Sequence, residues 1–134
     1  MTGKKVSSGL VVLAVGILLS ACIVEYNFDR APAWTGFGGA PINRTDVVGE
    51  AQGWQNGRLT VTLNVVNGYI ENVRIFGERE TPSYTRDLIQ IAQRNAALLN
   101  SFDFLDGMSG ATVTRNAIRD AGRDALRIAG AAVP

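Results

Sequence analysis

Between positions 59 and 65, Leu59, Val61, Leu63 and Val65 alternate strictly with Thr60, Thr62 and Asn64. A helix would scatter those four aliphatic side chains around its circumference, whereas a strand, whose side chains alternate faces, gathers them on one side. The run therefore reads as a half-buried strand, and anything this chain folds into must cover that face. Asn67-Gly68 follows as a hairpin signal, with residues 69–76 returning. A strict two-residue loop would set Val61 opposite Arg74 and Leu63 opposite Asn72. A three-residue loop with Gly68 in a bulge sets Val61 opposite Val73 and Leu59 opposite Ile75, so apolar meets apolar, and this bulged form is the one expected. Residues 46–54, ending at the turn-prone Gln55-Asn56-Gly57, supply a further short strand.

Two helical patterns come after the hairpin. Over residues 86–100, Leu88, Ile91, Ala92, Leu98 and Leu99 recur at helical spacing, an amphipathic helix to lay on the sheet. Over residues 115–129, Ile118, Ala121, Ala125 and Ile128 share one face, while Arg119, Arg123 and Arg127 line another at i, i+4, i+8. Interleaved with Asp120 and Asp124, that arginine row reads as a solvated face with weak surface pairs, the alternative being a docking patch for an acidic redox partner. The expected class is α+β: one domain over residues 45–134, a small hairpin-based antiparallel sheet packed by two helices. A domain of roughly 90 residues buries only about 60–65% of its unfolded surface, so a ligand packed against it adds appreciable stability.

Composition removes whole classes of chemistry. There is no His, and Cys22 is the only Cys. Classical zinc sites, Ser-His-Asp triads, haem ligation through His and internal disulfides are thereby excluded. Lys4 and Lys5 are the only lysines, so without its N-terminus the chain has no lysine for Schiff-base or P-loop chemistry. A formal net charge of +1, with arginines spread along the chain, argues against nucleic acid as the main partner. Little is left for catalysis by polypeptide alone.

Asp106-Gly107-Met108-Ser109-Gly110-Ala111-Thr112, followed by Val113-Thr114, puts small residues and a hydroxyl just before a helix expected to begin near Thr114. Such a segment lets the backbone approach a bulky ligand and aims free N–H groups and a positive dipole end at an anion. The plain alternative is a glycine-rich loop with Thr114 as an ordinary N-cap. The seven residues resemble the flavinylation motif of the FMN-binding domain family, Asp, two variable positions, Ser or Thr, Gly, Ala, Thr. That family includes the C subunit of the sodium-translocating NADH:quinone oxidoreductase and the G subunit of RNF complexes. The resemblance implies covalent FMN on Thr112 through a phosphoester, attached by a separate FAD:protein FMN transferase that reads the segment containing Asp106, Ser109, Gly110 and Ala111. Asp106 would also bond backbone N–H groups to shape the loop. Arg115 would pair with the FMN phosphate or point to solvent.

Glu80-Thr81-Pro82 resembles the element that flanks the flavin in respiratory members, although Ser83-Tyr84-Thr85 stands where Gly-Leu-Gly is usual. Tyr84 offers a planar face for an isoalloxazine ring, and the alternative is a loop in which Thr81 or Ser83 caps the next helix. Phe102 and Phe104 would wall the flavin or enter the core. The resemblance implies an electron carrier or accessory redox subunit, itself the transferase's substrate, more than a freestanding enzyme. A structural or assembly lipoprotein using the same fold with Thr112 bare stays open, as does an FMN-dependent reductase.

The N-terminus reads as an export signal: Lys4-Lys5, an apolar run over residues 10–19, then Leu19-Ser20-Ala21-Cys22. The last four resemble the bacterial lipobox, which implies cleavage after residue 21 and acylation of Cys22. The alternative is an uncleaved anchor helix over residues 6–24. Either way the domain is tethered to the cell membrane outside the cytoplasm, on a periplasmic or other extracytoplasmic face. Residues 22–44, rich in Ala, Pro and Gly, look like a spacer, with Trp34 and Phe37 docking on the domain or sitting at the membrane interface.

Overall fold

The computed structural model describes residues 30–133; the export signal and Cys22 lie outside them. Three antiparallel strands, β1 (Arg44–Gln52), β2 (Arg58–Val66) and β3 (Tyr69–Gly77), form a sheet in the order β1-β2-β3. Helix α1 (Pro82–Leu99) lies mainly against β3, and helix α2 (Thr112–Ile128) packs across β1 and β2. A short 3₁₀ stretch, Asp103–Gly107, joins the helices. This is the α+β fold expected, in one small domain.

The alternation that opens the sequence argument sets the core. Leu59, Val61 and Leu63 of β2 are fully buried and Val65 nearly so, with Val47, Val73 and Ile75 beside them. Both helices cover this face. Gly49 lets α2 come close, since an added Cβ there would overlap the Ala121 carbonyl and the Ala125 nitrogen. The helices also shield the sheet's edges: the Asp124 carboxylate accepts the Glu50 N–H at 3.0 Å, and Gln93 Oε1 accepts the Ile75 N–H at 3.0 Å.

Several local expectations need correction. The hairpin turn has only two residues, Asn67 and Gly68, both at positive φ (51° and 81°), as a type I′ turn requires. The irregularity sits one step further on: Val65 pairs with Ile70 but Asn64 with Asn72, leaving Glu71 as the extra residue. Val61 thus faces Ile75 and Leu63 faces Val73, not the pairs expected. Because the shift is two residues, apolar still meets apolar. Helix α1 begins at Pro82, whose fixed φ suits a first helical position. Its inner face centres on Ala92 and Ala96, which turns Leu98 out to 67% exposure, and Ile128 at the end of α2 is likewise half exposed. Phe102 and Phe104 are both buried in the core, Phe102 against Gly122.

Residues 30–43 lie along the domain. The Trp34 N–H donates to the Gly68 carbonyl at 2.7 Å, Trp34 Nε1 donates to the Asn100 carbonyl at 2.8 Å, and Gly68 N–H donates to the Ile42 carbonyl at 2.9 Å. Trp34 is therefore docked, whereas Phe37 is 94% exposed. Asn100, fully buried, organises this end: Oδ1 accepts the Ile70 N–H at 2.8 Å, and Nδ2 donates to the carbonyls of Pro32 and Gly68, each at 3.1 Å.

Candidate cofactor site

At the end of the sheet opposite the Asn67-Gly68 turn, three pieces of backbone converge: the Gly53–Gly57 turn between β1 and β2, the exit from β3, and the start of α2. They enclose a cleft of about 520 Å³ lined by Trp54, Glu80, Thr81, Thr85 and the helix-opening run of residues 111–114. The cleft belongs to the size class of small-molecule sites.

Glu80 holds these pieces together. Its Oε1 accepts the Trp54 backbone N–H at 3.1 Å, and its Oε2 accepts the Thr114 hydroxyl at 2.7 Å. Gly53 and Gly77 leave the space its side chain fills. Thr85, buried, turns its hydroxyl back to the Thr81 carbonyl at 2.9 Å, which leaves a largely apolar floor. Trp54, 46% exposed, stands at the rim, its ring available to a flat ligand.

The opposite wall is the N-terminus of α2. Gly110 (φ 80°) and Ala111 (φ 43°) are both left-handed, so the chain turns sharply and Thr112 becomes the first helical residue, two places earlier than expected. No side chain caps this end. The N–H groups of the first turn thus stay available, and with the helix dipole they favour an anion beside the exposed Thr112 hydroxyl. Thr114 is not the cap; it is 4% exposed and spends its hydroxyl on Glu80.

A family model described as FMN-binding domain matches residues 53–127. The chain belongs to the FMN-binding domain family. No curated protein and no solved structure matches it. FMN is therefore the cofactor to test against the cleft, and the cleft suits it: an aromatic rim and apolar floor for a ring system, and a bare helix start for a phosphate.

The residues expected at an FMN site divide into two groups. Thr112, Ala111, Thr114, Glu80 and Thr81 line the cleft. Gly110 shapes the approach without lining it, and Ser109 is exposed in the loop before it. Asp106 lies on the outer side of that loop, where it accepts Arg119 Nη1 at 2.7 Å and stands 3.7 Å from Arg123. It bonds no backbone N–H among the described residues, contrary to its expected loop-shaping role. The hydrogen bond from Arg119 holds its carboxyl below the usual carboxylate range, aided by the charges of Arg119, Arg123 and Arg115. Arg123 also grips Asp103 at 2.7 Å, so two of the three row arginines clamp the motif's leading segment onto α2, while the expected surface pairing within the row is met by Arg119 with Asp120 at 3.0 Å. Arg115 does not line the cleft, and its Nε is buried without a hydrogen-bond partner. Thr81 precedes α1 but makes no capping bond. Tyr84 falls in the first turn of α1, and its side chain lies outside what the structure describes.

Trp54, Thr85 and Val113 went unrecognised in the sequence. Trp54 had a readable signal, an aromatic residue beside the turn-forming Gln55-Asn56-Gly57. Thr85 and Val113 had none, because only the start points of α1 and α2 bring them to the cleft.

Proposed function

We propose that this domain carries FMN covalently on Thr112 and serves in electron transfer, as a carrier or accessory redox subunit of a membrane complex outside the cytoplasm. The observation that carries this is the placement of Thr112: an exposed hydroxyl at the mouth of the cleft, on an uncapped helix start, in a motif whose every fixed position is met. Thr112 Oγ1 is the acceptor for an FAD:protein FMN transferase. It replaces AMP on the FMN phosphorus of FAD and gives up its proton.

The α2 N–H groups would hold the phosphate, Trp54 and Val113 would flank the ring, and Glu80 would keep their supporting elements in register. Bound there, FMN accepts and releases one or two electrons; the chain supplies position and electrostatics. Among the described residues no helix is long and apolar enough to cross a membrane. Tethering falls to an acyl group on Cys22, after removal of residues 1–21.

The test is co-production with the transferase and in-gel flavin fluorescence after denaturation. Wild type should give a fluorescent band and Thr112→Ala none. A fluorescent Thr112→Ala band would refute the attachment site, and a colourless wild type would leave the structural lipoprotein as the better reading. Intact mass of the native protein reports signal cleavage, acylation and flavin together.

A further inference from the structure

The chain enters the folded domain at one pole and the cofactor cleft opens at the other. Entry is fixed by four contacts: Arg30 stacks over the Tyr69 ring at 4.1 Å, the Ala31 N–H donates to the Leu99 carbonyl, Asn100 Nδ2 donates to the Pro32 carbonyl, and the Trp34 N–H donates to the Gly68 carbonyl. All lie at the β2–β3 turn and the C-terminal end of α1. Trp54, Glu80 and Thr112 lie at the far end, beyond the start of β2 and the finish of β3. The nine residues of β2 separate the poles, which at about 3.3 Å per residue is roughly 30 Å.

From this we infer, resting on the acyl anchor at Cys22 proposed above, that the cleft is held away from the membrane surface, out of reach of a lipid-dissolved molecule. Reach decides it. Whatever conformation they adopt, the residues from Cys22 to Arg30 span at most about 3.6 Å each, roughly 29 Å in all. Turning the cleft onto the bilayer would lift Arg30 about the full length of the sheet above the surface, which uses every ångström of that span and leaves the tether no conformational freedom. With the entry pole down, no such extension is needed.

The test uses the full acylated chain on phosphatidylcholine/phosphatidylglycerol vesicles containing a headgroup-nitroxide lipid. Glu71→Cys reports the entry pole and Gln52→Cys the cleft pole; both positions are exposed and take a fluorescent maleimide, whereas acylated Cys22 does not react. Quenching at position 71 should exceed that at position 52 at least twofold. Inserting eight Gly/Ser residues between Cys22 and Arg30 should bring the two towards parity. Equal or reversed quenching in the native-length chain overturns the inference, as does a difference that survives the insertion. Failure to float with the vesicles overturns it through its premise, the anchor. No flavin enters the measurement, so none of these outcomes bears on attachment at Thr112, and a bare Thr112 would leave the pole order standing.

Discussion

Removing the Glu80 carboxylate should destabilise the domain even with no cofactor bound. Glu80 accepts two hydrogen bonds, from the Thr114 hydroxyl at 2.7 Å and the Trp54 N–H at 3.1 Å. Thr114 is 4% exposed, so Glu80→Ala strands a buried hydroxyl at a cost of about 1–3 kcal/mol. Trp54 sits at the rim, where water replaces the lost acceptor and the cost is small. A total near 2 kcal/mol follows, or about 8–16 °C in Tm for a domain of about 100 residues. Glu80→Gln is the discriminating control. Its amide oxygen still accepts from Trp54 and its NH₂ donates to Thr114 Oγ1, so the buried hydroxyl oxygen keeps one hydrogen bond while its proton loses the charged acceptor, a cost of about 1 kcal/mol and below that of Ala. The assay is urea unfolding followed by near-ultraviolet circular dichroism, in a Thr112→Ala background so that no flavin contributes. If Glu80→Ala stays within about 0.5 kcal/mol of its parent, or if Gln costs as much as Ala, Glu80 does not hold the cleft's walls together as described.

Three other perturbations probe the scaffold. Asn100→Ala leaves the buried Ile70 N–H without its 2.8 Å acceptor and puts a Cβ-bearing residue without a polar side chain at φ 55°, so a loss of about 3–4 kcal/mol in denaturant titration is expected; Asn100→Gly should recover about 1 of it. Gly49→Ala drives a methyl into the α2 backbone and should cost about 2–3 kcal/mol, seen as a lowered urea midpoint. Asp106, half exposed and depressed by the Arg119 hydrogen bond, should contribute less than about 1 kcal/mol. Since its folded pKa lies below the unfolded one, that contribution is full above about pH 4 and fades as pH falls through the lower folded value. The stability difference between wild type and Asp106→Asn should therefore be flat from about pH 7 to 5 and shrink below pH 4.

How much of the fold was legible follows from which interactions are local. The alternation in β2 fixes a buried face, and the hairpin signal at Asn67-Gly68 fixes where the chain turns back. Turn length was misjudged because two solutions satisfy apolar pairing equally, one with the extra residue in the loop and one with Glu71 bulged in β3. Choosing between them takes tertiary contacts: the Gly68 carbonyl receives Trp34 and Asn100, residues distant in sequence. The same holds for Leu98 and Ile128. Periodicity names the residues that can face inward, whereas the extent of the surface each helix covers decides which of them do.

The site was legible where a motif constrains backbone and side chain together, and illegible where packing supplies the wall. Gly110, Ala111 and Thr112 carry their meaning locally, because two left-handed residues and a hydroxyl at a helix start already make a place for an anion. Glu80 entered the site only by resemblance, as part of an element beside the flavin, and nothing near it in the sequence says that its carboxylate will meet Thr114, thirty-four residues on. Asp106 shows the reverse. It looks like a loop former, yet α2 carries Arg119 and Arg123 at the spacing that brings both guanidinium groups beside it, and these take the carboxylate before any backbone N–H does. A charged bidder close in space outcompetes a neutral one close in sequence, because an ionised donor makes the stronger hydrogen bond. Two of the three arginines in the row that reads as a solvated surface are therefore spent on holding the attachment loop to the helix that begins with Thr112.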